Sequence, residues 1–273
     1  MNLIYQYWKG PLKSGVLAST KLMKEYADKI GAEYRFDHNV TIASKTVDVP
    51  IYYEPANPLI DSSFTKYDNV ALVDIDVFPV DGLTDNIFDQ IGDADAVICT
   101  EPHQPELRQK YNVAGINNAN DKTWTNILKT NWKIDYSFDK QHRPMVYNTG
   151  VVVISKKGLH NIKTNWPSFQ EYVNIIRIWN LPKFYQFFQD YFSAFIHKSD
   201  FNFKCLDNGW NCYMHKVGSS PNATVGDMRT DNPKLVHIMF RTADDWPEDA
   251  LWRITNKPQD EWNLPVPSNW PND

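Results

Sequence analysis

Cysteine is scarce in this chain. Cys99, Cys205 and Cys212 are the whole set, and an odd number leaves at least one thiol unpaired in a monomer. A disulfide framework is disfavoured and a reducing compartment indicated. Long apolar runs are missing too. No stretch has the length needed to cross a bilayer, and residues 1–7 lack the charged segment and sustained apolar run of a leader, so a soluble, cytoplasmic protein is expected. Nor is there a long basic run. Lys plus Arg total 28 against 33 for Asp plus Glu, a net charge of −5, which favours neither nucleic acid nor an anionic membrane as partner. No glycine-rich dinucleotide fingerprint follows the first strand-like segment, and no Gly-x-x-x-x-Gly-Lys-Ser/Thr loop occurs. Any phosphate would have to be held through a metal ion. Internal repeats and low-complexity tracts are absent as well.

The 273 residues suffice for one large α/β domain, and 14% of them are aromatic, including 10 Trp and 14 Tyr. That excess suits both core packing and the stacking of ring-shaped ligands. Residues 2–8 read as a first strand, broken by Lys9-Gly10-Pro11. Ser14 is placed to cap a helix with Leu22, Tyr26 and Ile30 on its apolar face, and Gly31 to end it. Residues 32–36 follow as a second strand, completing a β-α-β opening. Further on, 85–91 suggest a short helix and 95–100 a strand. The segment 101–145 is polar and mixed, with a helical hint only at 124–128, and reads as a lid or acceptor loop. A polar turn, Tyr147-Asn148-Thr149-Gly150, then feeds a buried strand over 151–154. One long helix is expected from Ser155 toward Tyr172 and Ile175, and an aromatic one over 184–197. Residues 235–240 look like a strand. The Trp- and Pro-rich 242–273 read as an irregular wrap over the domain.

Chemistry concentrates at Asp74-Ile75-Asp76. The apolar run Val70-Ala71-Leu72-Val73 reads as a buried strand of a parallel sheet, whose carboxyl end is where open α/β sheets bind ligands. Two acids there repel unless water or a cation separates them, and hard oxygen ligands suit Mn2+ or Mg2+. A solvated strand end without metal fits the motif equally well. Gln189 and Asp190, set among Phe187, Phe188, Tyr191 and Phe192, require partners or a ligand if buried. His237 lies in an apolar strand, where a satisfied core histidine is the commoner outcome. Tyr7 and Trp8, at the end of the first strand, are either core or a stacking platform for a base.

Taken together, Asp68-Asn69-Val70 leading into Asp74-Ile75-Asp76, then Asn148-Thr149-Gly150, Gln189-Asp190 and His237 resemble the nucleotide-sugar glycosyltransferases of the GT-A fold. The likeness is greatest to family 8, the glycogenin and galactosyltransferase group. It runs over roughly residues 2–246. It implies a mixed, mostly parallel central sheet flanked by helices in a single Rossmann-like domain covering residues 1–273. It also implies a UDP-sugar donor, a glycan or other hydroxyl acceptor, and Mn2+ (or Mg2+) held by Asp74, Asp76 and His237. Carried over residue by residue, Asp74 touches metal and ribose, and Asn148, Thr149 and Gly150 line the donor sugar. Gln189 lies near the anomeric carbon, and Asp190 holds sugar hydroxyls. The chain departs from the family pattern in having Phe188 before the Gln-Asp pair and Ser193 after it. It also has no Lys-Pro-Trp after His237, where Arg241 is the substitute expected to bind phosphate, with Tyr7 and Trp8 at the base.

Retention of anomeric configuration is the expected outcome. An inverting enzyme would need a carboxylate base, for which Asp190, Asp244, Asp245 and Glu248 are the candidates. Two other readings stand beside it: a haloacid-dehalogenase-like phosphatase, which normally carries Asp-x-Asp on its first strand, and a sugar-binding module without turnover.

Overall fold

The computed structural model describes residues 1–46, 48–110, 112, 115–213, 232–238, 247–258 and 261. The chain opens with β1 (Asn2–Trp8), α1 (Ser14–Lys29) and β2 (Glu33–His38). Short helices α2 (Ala43–Thr46) and α3 (Asn57–Ile60) lead to β3 (Asn69–Val73) and β4 (Val77–Pro79), on either side of the acid pair. Then come β5 (Ala96–Thr100), α4 (Gln104–Lys110), α5 (Asn118–Trp132) and β6 (Tyr147–Ser155). Helices α6 (Lys156–Asn165), α7 (Phe169–Ile178) and α8 (Phe188–Phe195) precede β7 (Phe203–Cys205), β8 (Cys212–Tyr213), β9 (Leu235–His237) and α9 (Glu248–Asn256).

Six strands form one sheet in the order β2-β1-β3-β6-β5-β7. Pairs β1/β2, β1/β3 and β5/β7 are parallel, and β6 runs against both of its neighbours. The apolar run in β3 is continuous because the sheet is covered on both faces. Val70 and Leu72 enter one core cluster with Val152 and Ile154, while Ala71 and Val73 enter the opposite one with Val151 and Val153. A second sheet, β4-β9-β8, brings His237 opposite Val77, just beyond Asp76. Among the described residues no helix is long and apolar enough to cross a membrane.

Local chemistry explains where the elements differ from the sequence expectations. Ser14 is the first residue of α1 and not its cap; Lys13 occupies that position and makes no side-chain capping bond. Gly31 follows the helix at φ +69°, the left-handed conformation that glycine adopts without steric cost. The single helix expected after Ser155 is two, α6 and α7, because Pro167 disfavours helical backbone at Trp166. Ser168 then restarts the chain, its hydroxyl accepting the Glu171 N–H. The helix expected over 184–197 is likewise broken, at the extended Phe187, so Gln189 and Asp190 fall in the first turn of α8 and not in its interior. Asn148, Thr149 and Gly150 belong to the continuous strand β6, not to a turn before it.

Residues 101–145 hold two helices where irregular structure was expected. In α5 the buried positions are Asp121, Trp124, Thr125 and Leu128, with Ile127 beside them. That spacing is i, i+3, i+4 and i+7, an ordinary amphipathic stripe disguised by a buried aspartate.

Candidate active site

The parallel pairing of β1 with β3 matches Tyr5 to Leu72. Extending it by two residues brings Tyr7 level with Asp74, at the carboxyl edge of the sheet. Gln6 fastens that edge: its Nε2 donates to the Asp74 carbonyl (3.0 Å) and the Ser19 hydroxyl (3.1 Å), and its Oε1 accepts from Tyr34 (2.9 Å). On the other side the Asp74 N–H donates to the Gly150 carbonyl (2.8 Å).

Asp74, Asp76 and His237 converge there, each offering a ligand atom within 4.8 Å of the others. Burial, and then the charge of Asp76, push the Asp74 carboxyl up to about 7, against a smaller opposing effect from His237. Burial by itself lowers the basicity of His237, but the charges of Asp76 and Asp74 outweigh it and hold the imidazole above its ordinary value. All these shifts reflect an acidic site short of positive charge.

The orientation of His237 follows from one backbone group. The Gly150 N–H can only donate, and it meets Asn148 Oδ1 at 2.7 Å. The Asn148 amide nitrogen therefore points the other way, toward Glu101 Oε1 (2.8 Å) and Gln189 Oε1 (3.2 Å). Asn211 Nδ2 donates to the same Asn148 oxygen (2.9 Å), which leaves Asn211 Oδ1 facing His237 Nδ1 at 3.0 Å. Nδ1 must carry the proton. In the neutral imidazole His237 Nε2 then presents a lone pair to Asp76 Oδ1, 3.1 Å away, whereas in the imidazolium, which the raised basicity favours, it donates a proton there. Two acceptors at that distance require a proton or a cation between them. Two carboxylates and an oriented imidazole nitrogen thus fit a divalent ion.

Beyond Gln189 lies a recess lined by Arg108, Asp121, Trp124, Tyr136, Tyr147 and Asp190. Arg108 donates to Asp121 Oδ1 (2.8 Å), which also accepts from the Tyr185 hydroxyl (2.8 Å). Burial pushes Asp190 well above the usual carboxylate range; Arg108 opposes this and Asp121 adds to it.

The structure therefore brings Asp74, Asp76, His237, Asn148, Gly150 and Gln189 into one connected cluster, with Asp190 beside it. Thr149 is buried next to Asn148 in β6. Tyr7 is 7% exposed, packs in the core and donates to the Val40 carbonyl (2.8 Å), and burial raises its hydroxyl to about 12. The indole N–H of the half-buried Trp8 donates to the Pro11 carbonyl (2.9 Å). Arg241, Asp244 and Asp245 lie outside the described residues. Sequence reasoning missed Gln6, Glu101, Arg108, Asp121 and Asn211. Glu101 directly follows a strand end and could have been suspected; Asn211 sits in a turn, where asparagine is too ordinary to stand out.

No protein-family model matches the chain, and no curated protein does. Solved structures do. The bifunctional glycosyltransferase WbbM shares 13% identity over 86% of this chain and 45% of its own, with a TM-score of 0.51. The galactosyltransferase LgtC, solved with donor and acceptor sugar analogues, shares 13% over 95% of this chain and 98% of its own, at 0.47. Mouse xyloside xylosyltransferase 1 shares 12% over 89% and 99%, at 0.48. At such identities the likeness is one of fold. The chain has the GT-A fold.

Proposed function

We propose that this protein is a divalent-metal-dependent glycosyltransferase, moving a sugar from a UDP-sugar to a hydroxyl of a glycan acceptor with retention of anomeric configuration. The observation that carries the reading is the hydrogen-bonded path from the Asp74-Asp76-His237 cluster through Asn211 and Asn148 to Gln189. A metal-binding triad and a polar recess are joined as one site, as transfer from a nucleotide-sugar demands.

In this reading Asp74, Asp76 and His237 hold the ion, and the imidazole ligand favours Mn2+ over Mg2+. A divalent ion bound there would offset the negative charge that builds on the departing diphosphate, so no protein acid need protonate that group. Asp74 also reaches the ribose. Asn148, Thr149 and Gly150 line the sugar, Gln189 faces the anomeric carbon, and Asp190 holds hydroxyls. Tyr7 and Trp8 border the base, and Arg241 meets phosphate.

Retention is favoured by the candidate bases. Burial, with the charge of Arg108 opposing it, raises Asp190 well above the usual carboxylate range, which disfavours the ionised form a base requires. Glu248 is engaged on the surface by Lys21, 2.8 Å away. A phosphatase reading is disfavoured because the acid pair follows β3, after a complete β-α-β unit, and not the first strand.

Calorimetric titration of UDP, with Mn2+ present and with the metal chelated, tests the proposal on wild type and Asp76→Asn. Binding that requires both Mn2+ and Asp76 supports it. Wild type that binds no UDP under either condition defeats the UDP reading, and equal binding by Asp76→Asn defeats the metal site.

A further inference from the structure

A groove lies away from the acid pair, between α1, residues 79–83 and α9. Its walls bound about 450 Å3, part of it continuous with bulk solvent, a size within the range of small-ligand clefts. Extended backbone from Asp76 through β4 to Val80 separates the two places by about 13 Å. The Ile238 N–H donates to the Asp76 carbonyl (2.8 Å) at one end of that run, and the Val80 N–H to the Lys234 carbonyl (2.9 Å) at the other. No residue assigned above to metal, donor or catalysis lines the groove.

The walls are fastened to one another. The Asp81 N–H donates to Asn256 Oδ1 (2.6 Å), and Asn256 Nδ2 donates to the Trp252 carbonyl (2.9 Å). Lys21 and Glu248, 2.8 Å apart, tie α1 to α9, and the Tyr26 hydroxyl ties α1 to the Asp85 carbonyl (2.8 Å). A groove held open in this way binds at little cost in ordering.

The lining defines the ligand. Trp252 is 40% exposed, with Lys257 Nζ 5.9 Å from its ring centroid. Thr255 is 2% exposed, yet its hydroxyl has no hydrogen-bond partner among the described residues. Buried hydroxyls are normally satisfied, so this one points to a missing polar partner. Glu25, Lys29 and Asp81 are exposed on the same groove, and no hydrogen bond or ion pair within the described residues holds their side chains. An apolar ligand would leave the Thr255 hydroxyl orphaned. An anion would meet two carboxylates against one ammonium. A metal ion would find two acids and no third ligand, and among the described residues only Asp74, Asp76 and His237 are grouped to hold one. A pyranose matches every feature: its C–H face lies on the indole, its hydroxyls donate to Glu25 and Asp81 and accept from Lys29, and one of them partners Thr255.

We infer that this groove is a second carbohydrate site, which holds a neutral pyranose ring of a glycan on Trp252, with its hydroxyls on Thr255, Glu25, Lys29 and Asp81. A ring seated there is too far from Asp76 to react. The site anchors a glycan and does not transform it.

The test screens full-length protein, without nucleotide or metal, against an immobilised array of neutral and acidic glycans. The strongest neutral binder is then titrated into protein labelled with 15N at tryptophan. The indole signal of Trp252, assigned from Trp252→Ala, should shift on titration. Trp252→Ala, checked for folding by circular dichroism, should weaken binding roughly tenfold or more. Thr255→Val, which removes the hydroxyl at constant shape, should weaken it about threefold and raise the melting temperature of the glycan-free protein by removing a buried orphan. Asp76→Asn should bind the glycan as wild type does. Absence of any neutral binder overturns the inference, and so does binding that survives Trp252→Ala. Binding lost in Asp76→Asn places the glycan at the acid pair instead. A Trp252 signal that follows protein concentration and not glycan gives the groove to a second copy of the chain, which equally overturns it. No arm uses UDP or Mn2+, so the groove and the transferase reading fail separately.

Discussion

Replacing Asn211 tests the derivation of the His237 tautomer. In wild type, polarity propagates from the Gly150 N–H through Asn148 and Asn211, so that His237 Nδ1 is protonated and Nε2 faces Asp76. Asn211→Leu removes the acceptor at nearly constant volume. The imidazole can then move its proton to Nε2 and bond Asp76, 3.1 Å away, which stabilises the metal-free form against the bound one. Loss of a partner that orients a metal-binding histidine typically costs 10–100-fold in affinity, about 1.4–2.7 kcal/mol. Asn211→Asp separates orientation from metal binding. One carboxylate oxygen still accepts from Nδ1, while the other opposes Asn148 Oδ1, lone pair against lone pair. Its Mn2+ affinity should stay within about threefold of wild type, while donor binding falls as Asn148 shifts away from Gln189. Free Mn2+ measured by electron paramagnetic resonance during titration gives the affinities, and 15N NMR of the metal-free protein reports which ring nitrogen is protonated. A folded Asn211→Leu protein that binds Mn2+ within twofold of wild type would refute the derivation.

Other consequences follow from named contacts. A Cβ at Gly150 would stand 2.5 Å from His237 Cε1 and 2.8 Å from Asn148 Oδ1; Gly150→Ala should displace the imidazole, lower Mn2+ affinity at least tenfold and destabilise by about 1–3 kcal/mol in urea. An unchanged titration would show that the strand yields instead. In metal-free protein, Asp74 titrates near 7 when folded against an ordinary 3.8. Its contribution to stability is therefore full below about pH 4 and lost as pH rises through 7, by at most about 4 kcal/mol. Melting temperature in chelator should fall with pH more steeply for wild type than for Asp74→Asn, and equal slopes would contradict the shift. His197 behaves oppositely: burial lowers it from 6.5 to about 4, with Nδ1–H donating to the Ser193 carbonyl and Nε2 accepting from Tyr147 and Ser137. That stability is present above pH 6.5 and lost as pH falls through 4, about 3 kcal/mol. Urea unfolding of wild type and His197→Gln at pH 7 and pH 4.5 should show the two converging, and parallel losses would count against it.

Much of the architecture is legible in order and pattern alone. The apolar run 70–73 ending on Asp74-Ile75-Asp76 marks a buried strand whose end carries ligands, because burial on both faces of a sheet demands continuous hydrophobicity. The β-α-β opening, the absence of a phosphate loop and the polar residues set in apolar surroundings at 189–190 and 237 are sequence properties too. Helices α4 and α5 were obscured because Arg108 and Asp121 are charged yet buried, and each becomes tolerable only once the other is 2.8 Å away. Pattern reading treats each as surface. Asn211 and Gln6 illustrate the remaining gap. Asn211 is 63 residues from Asn148 and 26 from His237, and nothing local in the sequence announces a hydrogen bond at such a separation. The sequence alone thus determined which strand ends carry acids and which polar residues must find partners. Tertiary structure decided which partners those are, because hydrogen-bond polarity and the pairing of buried charges depend on distances that exist only after the sheet has closed.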